Sequence, residues 1–233
     1  MLEKGEMMSV FLCGDIHGTL DIGKVVSFFR NYDDELTKQD YLIICGDVAV
    51  CGFSHGDEVR TREILRNLPV TVLFCDGNHE NFDELNSYVE EEWHGGLVHM
   101  IENDIIHLMR GQVYVIDNKK FFVFGGAYSV DRSSRVEGVT WFKEEVPTEE
   151  EYREGWKNLE KENYKVDYVI SHTAPYEICA EMGFGSFDEA AEQTMEFQRF
   201  ADCLEFEDWY FGHFHVDDDI EQFHCLWDNI VEV

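Results

Sequence analysis

Basic residues are scarce in this chain of 233 residues, and their scarcity limits the partners that it can bind. The chain has 18 lysines and arginines against 49 aspartates and glutamates, which gives a formal net charge of −31 at pH 7. A protein that holds a nucleic-acid backbone needs clustered positive charge. The composition therefore disfavours extended nucleic acid as a partner and indicates a highly soluble surface.

The sequence also lacks the patterns of a disulfide framework, a signal peptide and a membrane segment. Its seven cysteines are odd in number and include no Cys-x-x-Cys pair, as is typical of a reducing compartment. The N-terminal residues carry charge, and no apolar run approaches the length that crosses a membrane. We therefore expect a cytoplasmic protein with no membrane partner.

Only three prolines and no low-complexity linker interrupt the chain, so we expect one domain that spans residues 1–233. In the first half, short apolar runs alternate with amphipathic stretches. The segments that predict strands and helices in turn are 9–13, 20–30, 41–45, 57–68, 70–75 and 82–91. Strands separated by helices are typical of parallel β-α-β units.

The pattern changes after Trp93, where apolar runs follow one another closely. Four of them predict a mixed or antiparallel second sheet that faces the first, at 97–100, 105–108, 113–116 and 121–124. Beyond a polar stretch, Thr148 is expected to cap an acidic helix, and Ser186 to cap a later one. Further strands are predicted at 166–171 and 208–211. The predicted fold class is α/β with two facing sheets.

Polar side chains suited to metal binding follow five of the predicted strands. They are Asp15 and His17, Asp47, Asn78 and His79, His172, and His213 with His215. Because the carboxyl ends of parallel strands meet at one edge of a sheet, their loops can converge on a single site. One histidine at such a position is usually structural, but five placements together indicate a functional site.

The ligand types limit the metal. Carboxylate, amide and imidazole groups without cysteine suit zinc, manganese or iron better than calcium or an iron–sulfur cluster. Seven candidate ligands are too many for one ion and fit two ions that share a carboxylate. Two metals about 3.5–4 Å apart form a clamp that promotes the hydrolysis of phosphate esters.

Five blocks of the sequence, in this order, resemble the calcineurin-like metallophosphoesterase superfamily: Asp15-Ile16-His17, Gly46-Asp47, Gly77-Asn78-His79-Glu80, His172 and Gly212-His213-Phe214-His215. The blocks run from residue 14 to 215, so the resemblance covers most of the chain. It implies a four-layer sandwich in which helices flank two facing mixed β-sheets. It also implies two divalent or mixed-valence metal ions and hydrolysis of a phosphate ester.

The resemblance further assigns a role to each residue. One metal would be held by Asp15, His17 and His215, the other by Asn78, His172 and His213, and Asp47 would bridge them. His79 would not bind metal but act near the leaving-group oxygen as a general acid or transition-state stabiliser. The implied reaction is an in-line attack on phosphorus by a hydroxide that bridges the metals, without a phosphoenzyme.

The stretch after Asp47 departs from the superfamily's phosphoprotein phosphatases. Those enzymes continue the motif as Gly-Asp-x-x-Asp-Arg-Gly, in which the second Asp orients the catalytic histidine and the Arg grips phosphate. Here Val50 and Cys51 occupy the two positions. The resemblance therefore supports the metal centre and leaves phosphoprotein specificity open, together with the question of what orients His79.

A phosphate-binding arginine could come from the polar segment that begins at Tyr128. Because basic residues are rare, Arg132 and Arg135 stand out in this segment. In one interpretation they are solvated arginines of a surface turn. In the other, either arginine binds phosphate, and Tyr128 or Trp141 lies beside the leaving group.

Three further alternatives stay open. A phosphomonoesterase acting on a small molecule or phosphoprotein is slightly favoured over a phosphodiesterase acting on a nucleotide or other small diester. A catalytically silent metal-binding scaffold is a weaker alternative, since all the expected ligands and His79 are present. A purely structural zinc protein would need closed, cysteine-rich sites, which the sequence lacks. The oligomeric state and the metal's identity are not predicted.

Overall fold

Two mixed β-sheets form the centre of the protein. The computed structural model describes residues 8–52, 55–185 and 188–233. The first sheet has seven strands, in the spatial order β13 (Ile230–Glu232), β1 (Val10–Cys13), β2 (Tyr41–Ile44), β3 (Thr71–Phe74), β6 (Ile105–Leu108), β5 (Gly96–Glu102) and β4 (Glu90–Trp93). Strands β1, β2, β3 and β6 are parallel, whereas the strands outside them pair antiparallel.

The second sheet repeats this arrangement with six strands. Their spatial order is β11 (Asp218–Ile220), β12 (Phe223–Cys225), β10 (Asp208–Phe211), β9 (Tyr168–Ser171), β8 (Lys119–Phe124) and β7 (Gln112–Ile116). Strands β8, β9, β10 and β12 are parallel, and β7 and β11 close the two edges antiparallel. Both sheets therefore have a parallel centre, whose carboxyl ends can carry a site.

The helices of the described chain connect the strands. They are α1 (Gly23–Arg30), α2 (His55–Arg66), α3 (Phe82–Leu85), α4 (Glu149–Lys161), α5 (Tyr176–Glu181) and α6 (Asp188–Cys203), with 3-10 turns at Arg132–Ser134 and Lys143–Glu145. A capping box in which Thr148 and Glu151 exchange hydrogen bonds starts α4, as the sequence predicts. Among the described residues, no helix is long and apolar enough to cross a membrane.

Three apolar cores hold these elements in four layers. Alternate residues of each central strand point to opposite faces, so Leu12 and Ile43 pack between the sheets while Phe11 and Leu42 pack under α1 and α2. On the far side of the second sheet, aromatic residues such as Trp209 pack against α4 to α6. The predicted α/β fold of two facing mixed sheets flanked by helices is confirmed.

Two sequence predictions are wrong at the junction of the sheets. The runs 97–100 and 105–108 form strands of the first sheet, where β6 adds parallel to β3, so the second sheet begins only at β7. The helix predicted over 82–91 ends at Leu85, and Glu90–Trp93 is an edge strand. Pairing with β5 satisfies the backbone there and overrides the helix-forming glutamates. Ser186, the predicted helix cap, lies outside the described residues.

Candidate metal centre

The seven predicted ligands converge where the carboxyl ends of the two sheets meet. Glycine makes this approach possible, because a Cβ atom at Gly77 would overlap Asp47, and one at Gly212 would overlap the Asp15 carboxylate. Gly46 has a φ of +96°, and a Cβ there would overlap the ring of His172. Each glycine that precedes a predicted ligand thus lets a neighbouring strand end come close.

Asp15 is fully buried and lies between the ends of β1 and β10. Its Oδ2 atom lies 3.2 Å from Nε2 of His215 and 4.0 Å from Nε2 of His17. Its Oδ1 atom accepts a hydrogen bond of 3.0 Å from the backbone N–H of His213. The side chains of Asp15, His17 and His215 offer ligand atoms that all lie within 4.8 Å of one another.

Asp47 presents its two oxygens to different histidines. Oδ2 lies 3.3 Å from Nε2 of His17, and Oδ1 lies 3.5 Å from Nε2 of His172. Oδ1 also accepts the backbone N–H of His79 at 2.7 Å. A second group of atoms within 4.8 Å comprises Asp15, Asp47 and His172, so Asp15 belongs to both groups.

Hydrogen bonds orient His172 and Asn78, two of the three residues predicted to hold the second metal. His172 is fully buried, and its Nδ1 donates to the carbonyl oxygen of Cys45 at 2.7 Å, which leaves Nε2 facing the site. That Nε2 lies 3.0 Å from Oδ1 of Asn78, whose Nδ2 donates to the hydroxyl of Ser129 at 3.0 Å. The ring of His213 lies 5.0 Å from that of His172, measured between centroids.

The backbone is strained at several of these positions. A positive φ is uncommon for residues other than glycine and is held in place only by the surrounding structure. Four predicted ligands adopt it: His17 (41°), Asp47 (50°), His213 (71°) and His215 (53°). Such strain clusters at functional sites.

The buried carboxylates of Asp15 and Asp47 raise the pKa of two neighbouring histidines. Burial opposes protonation of His172, but the charges of Asp47 and Asp15 outweigh it and raise the pKa to about 10. Burial likewise opposes protonation of His17, yet Asp47 and Asp15 raise its pKa. Burial and the neighbouring His172 lower the pKa of His213 to about 4, which keeps its lone pair free. A cation among these groups would replace the protons, so the residues fit divalent metal ions.

His79 lies at the rim of this cluster and faces Arg135. Nη1 of Arg135 lies 2.7 Å from Nδ1 of His79, and Nη2 lies 3.2 Å from Nε2. Because a guanidinium only donates, a ring nitrogen of His79 that accepts a hydrogen bond from Arg135 carries no proton. Burial and then the Arg135 charge lower the pKa of His79, against the opposing effect of Asp47.

Arg132 points elsewhere. Its Nε donates to Oε1 of the fully buried Glu145 at 2.8 Å, and its guanidinium stacks on Tyr128 and Trp141 at 3.7 and 4.7 Å. Glu145 also accepts hydrogen bonds from the backbone and hydroxyl of Ser129. Arg135 therefore reaches the cluster directly, whereas Arg132 joins it only through Glu145 and Ser129.

The family of the chain follows from comparison with known proteins. The family model for calcineurin-like phosphoesterases matches residues 8–217. The chain belongs to this family.

Two solved structures are distantly similar to the chain. A phosphopantetheinyl hydrolase from Mycobacterium tuberculosis is 15% identical with a TM-score of 0.46, over 96% of this chain and 89% of that one. A Staphylococcus aureus protein provisionally assigned as a 5′-nucleotidase is 12% identical with a TM-score of 0.44, over 94% of this chain and 48% of that one. Among curated proteins, the chain has no match.

In this phosphoesterase, the altered stretch after Asp47 is structural. Val50 and Cys51 are fully buried, and Arg62 binds the Val50 carbonyl oxygen at 2.6 Å through Nε. The fully buried Glu80 accepts the backbone N–H of Val48 at 2.8 Å. Val50 and Cys51 therefore pack in the core, and among the described residues Arg135 contacts the ring of His79.

Sequence reasoning missed several side chains that support the site. Trp227 stacks on His215 with ring centroids 4.3 Å apart, and Lys24 donates to the Asp15 carbonyl oxygen at 2.7 Å and to the Trp227 carbonyl oxygen. Asp21 lies 3.2 Å from Nδ1 of His17. Only Asp21 had a local signal, its spacing of four residues from His17. Trp227 reaches the site through a loop after β12 that no motif marks.

Proposed function

We propose that this chain is a phosphomonoesterase that uses two metal ions to hydrolyse a small phosphorylated molecule. The observation that carries the dinuclear part is the geometry of Asp47, whose two oxygens face His17 and His172 separately. One metal would then be held by Asp15, His17 and His215, and the other by Asn78, His172 and His213. Such ions supply a nucleophile at neutral pH and neutralise phosphoryl oxygens.

The ligands are oriented by partners outside the site. His172 is fixed by the Cys45 carbonyl oxygen, and Asn78 by Ser129, which itself donates to Glu145. Such supporting hydrogen bonds keep ligand atoms aimed at a metal and raise ligand basicity. The oxygen, rather than the nitrogen, of Asn78 therefore faces the proposed metal.

His79 and Arg135 would act on the ester. His79 would act near the leaving-group oxygen, either as a general acid that protonates this oxygen as the P–O bond breaks or through an N–H hydrogen bond that stabilises its developing charge. Arg135 holds the ring and would place positive charge beside the phosphoryl group. A monoester dianion gains more from this charge than a diester monoanion, which favours the monoesterase.

Reconstitution of the purified protein with manganese, iron or zinc tests the proposal. We expect the loaded protein to hydrolyse p-nitrophenyl phosphate faster than bis(p-nitrophenyl) phosphate, and a chelator to abolish both activities. Preference for the diester would contradict the monoesterase. If neither ester is hydrolysed with any of the metals, the metal-binding scaffold is the better interpretation.

The role of His79 needs a substrate whose leaving group requires protonation. We expect His79→Asn to lower kcat about 10²–10⁴-fold on phenyl phosphate and much less on p-nitrophenyl phosphate. The matched control is His94→Asn, because His94 is exposed and hydrogen-bonds to the Val115 carbonyl oxygen away from the site. Full activity of His79→Asn on phenyl phosphate would remove His79 from the proposed role.

A further inference from the structure

A cavity of about 440 Å³ opens beside the proposed metal centre. Its wall includes His213 and Phe214 from the site and Tyr128 from the arginine-bearing segment. Most of the rest of the wall comes from the region of α5 and α6, including Phe184, Ala190 and Gln193. Its volume lies within the range of small-molecule pockets.

The wall is mainly apolar. The ring centroids of Phe184 and Phe214 lie 4.7 Å apart, and the wall also includes the small side chains of Ala127 and, on α6, Ala190. Phe184 is 40% exposed, so its ring is accessible to a ligand in the cavity. Ala127 and Phe214 adjoin residues of the site, so an apolar group in the cavity would lie next to the proposed reaction centre.

One polar group in the wall lacks a partner. Gln193 is 2% exposed, and its Nε2 donates to the Gly126 carbonyl oxygen at 2.6 Å. Its Oε1 has no hydrogen-bond partner among the described residues. A buried acceptor left unpaired costs free energy, so a ligand that brings a donor to this oxygen gains affinity. The hydrogen bond to Gly126 holds the nitrogen end of the amide, and Gln193 is part of the cavity wall.

We propose that this cavity binds the organic part of the ester, an apolar group that carries an N–H or O–H donor for Gln193. The proposal rests on the proposed function, since it names the kind of monoester that the metal centre would cleave. Apolar contact supplies most of the affinity, and the donor sets the orientation of the group. Small esters that cannot fill the cavity would lack this gain.

Three phosphate compounds separate these effects. 4-Acetamidophenyl phosphate has an apolar ring and an amide N–H, its N-methyl amide lacks the donor, and acetyl phosphate is too small to fill the cavity. With the metal-loaded protein, we expect kcat/KM for the N–H compound to exceed that for the N-methyl compound by about five- to tenfold. Equal values for the two compounds would overturn the assignment of Gln193.

Substitutions then locate the binding. We expect Ala190→Leu to lower kcat/KM for 4-acetamidophenyl phosphate about tenfold or more, because the added side chain fills the cavity, and to leave acetyl phosphate within about twofold. Ala191→Leu is the matched control, since the neighbouring alanine is also half-buried and is not part of the wall. Equal effects of the two substitutions would overturn the proposal.

Gln193→Met tests the acceptor separately from folding. Loss of the Gly126 hydrogen bond would lower kcat/KM equally for 4-acetamidophenyl phosphate and its N-methyl amide. Loss of the acceptor would instead remove the preference for the compound that carries the N–H group. We expect the preference to disappear. A preference that persists in Gln193→Met contradicts the role of this oxygen and leaves ordered water as its partner.

Binding without metal separates this proposal from the proposed function. If no ester is hydrolysed, calorimetry of 4-acetamidophenol with the metal-free protein still tests the cavity. Binding that Ala190→Leu weakens and Ala191→Leu retains supports the cavity even when the proposed function fails. Absence of binding to the unmodified protein overturns the cavity proposal, and hydrolysis of acetyl phosphate would still support the metal centre.

Discussion

Arg132 and Arg135 are three residues apart and have different surroundings. Arg135 contacts the ring of His79, and its partner Asp131 is half exposed. Arg132 lies over Tyr128 and pairs with the fully buried Glu145. The same residue type therefore serves the site at one position and the packing of the loop at the other.

We expect Arg135→Ala to lower kcat/KM on p-nitrophenyl phosphate by about tenfold or more, because a charge-assisted contact is worth about 1.5–3 kcal/mol. Its free energy of unfolding should change by less than about 1 kcal/mol. Arg132→Ala should instead destabilise the fold by about 1–3 kcal/mol, since the buried Glu145 carboxyl loses its cationic partner and keeps only the hydrogen bonds from Ser129. Urea denaturation and steady-state kinetics of both variants measure these effects.

The two variants serve as controls for each other. If both leave KM and kcat unchanged, the segment from Tyr128 to Arg135 does not bind substrate. If Arg132→Ala impairs kinetics without loss of stability, Arg132 acts on the ester and the division of roles is wrong. Arg132→Lys should recover part of the stability, because the charge returns without the planar stacking group.

Among single residues, those in the motifs could be predicted from the sequence, whereas the side chains that hold them in place could not. The seven predicted ligands follow strands that apolar runs mark, so the sequence alone predicts their convergence. Ser129 and Glu145 fix Asn78 from a segment with little periodicity. Trp227 and Gln193 lie far from every motif, and their contacts depend on tertiary packing that no local pattern encodes.

At the scale of the elements, the site depends on how closely strand ends approach. Gly212 directly follows β10, and its N–H donates to the His172 carbonyl oxygen at 3.0 Å. A Cβ atom here would overlap the Asp15 carboxylate and lie 3.0 Å from the Cys45 carbonyl oxygen. The clash involves a proposed ligand and a backbone atom, so neither can shift without disturbing the site.

We therefore expect Gly212→Ala to reduce manganese affinity by about tenfold or more and to destabilise the fold by about 1–3 kcal/mol. Gly23→Ala is the control, because Gly23 begins α1 and a Cβ there meets nothing within 4 Å. That change should be neutral or stabilise by up to about 1 kcal/mol. Calorimetric titration and urea denaturation test both, and unchanged manganese affinity in Gly212→Ala would contradict the close-approach argument.

Elements were predicted well where one local signal dominated. The central strands are buried on both faces and read as continuous apolar runs, so β1, β2 and β3 are predictable. The assignment of β5 and β6 to the first sheet depends on pairing with β3, which hydrophobicity alone does not encode. Propensity likewise gives no hint that three consecutive glutamates form the edge strand β4.

At the scale of the whole molecule, cations can stabilise the protein in two ways. They can screen the net charge of −31, or they can bind to the buried carboxylates. The acidic residues at the surface repel one another, and salt screens this repulsion. The Debye length falls from about 30 Å at 0.01 M to about 10 Å at 0.1 M ionic strength. Asp15 and Asp47 are 0% and 1% exposed, so bulk salt screens them far less. Sodium chloride and a transition metal should therefore stabilise the fold independently.

We expect the Tm of the metal-free protein to rise by a few degrees when sodium chloride increases from about 10 mM to about 500 mM, because self-repulsion weakens. At the higher salt concentration, manganese at about 100 times its Kd should add about 2.7 kcal/mol. For a chain of this size that corresponds to about 5–10 °C in Tm. Differential scanning calorimetry at matched ionic strength measures both increments.

Asp47→Asn distinguishes the two effects, because it changes the surface charge very little and removes the proposed bridging carboxylate. The variant should keep the increment from sodium chloride and lose most of the increment from manganese. If the full manganese increment survives in Asp47→Asn, Asp47 is not needed to hold the metal. The bridging role of Asp47, and with it the dinuclear proposal, would then fail.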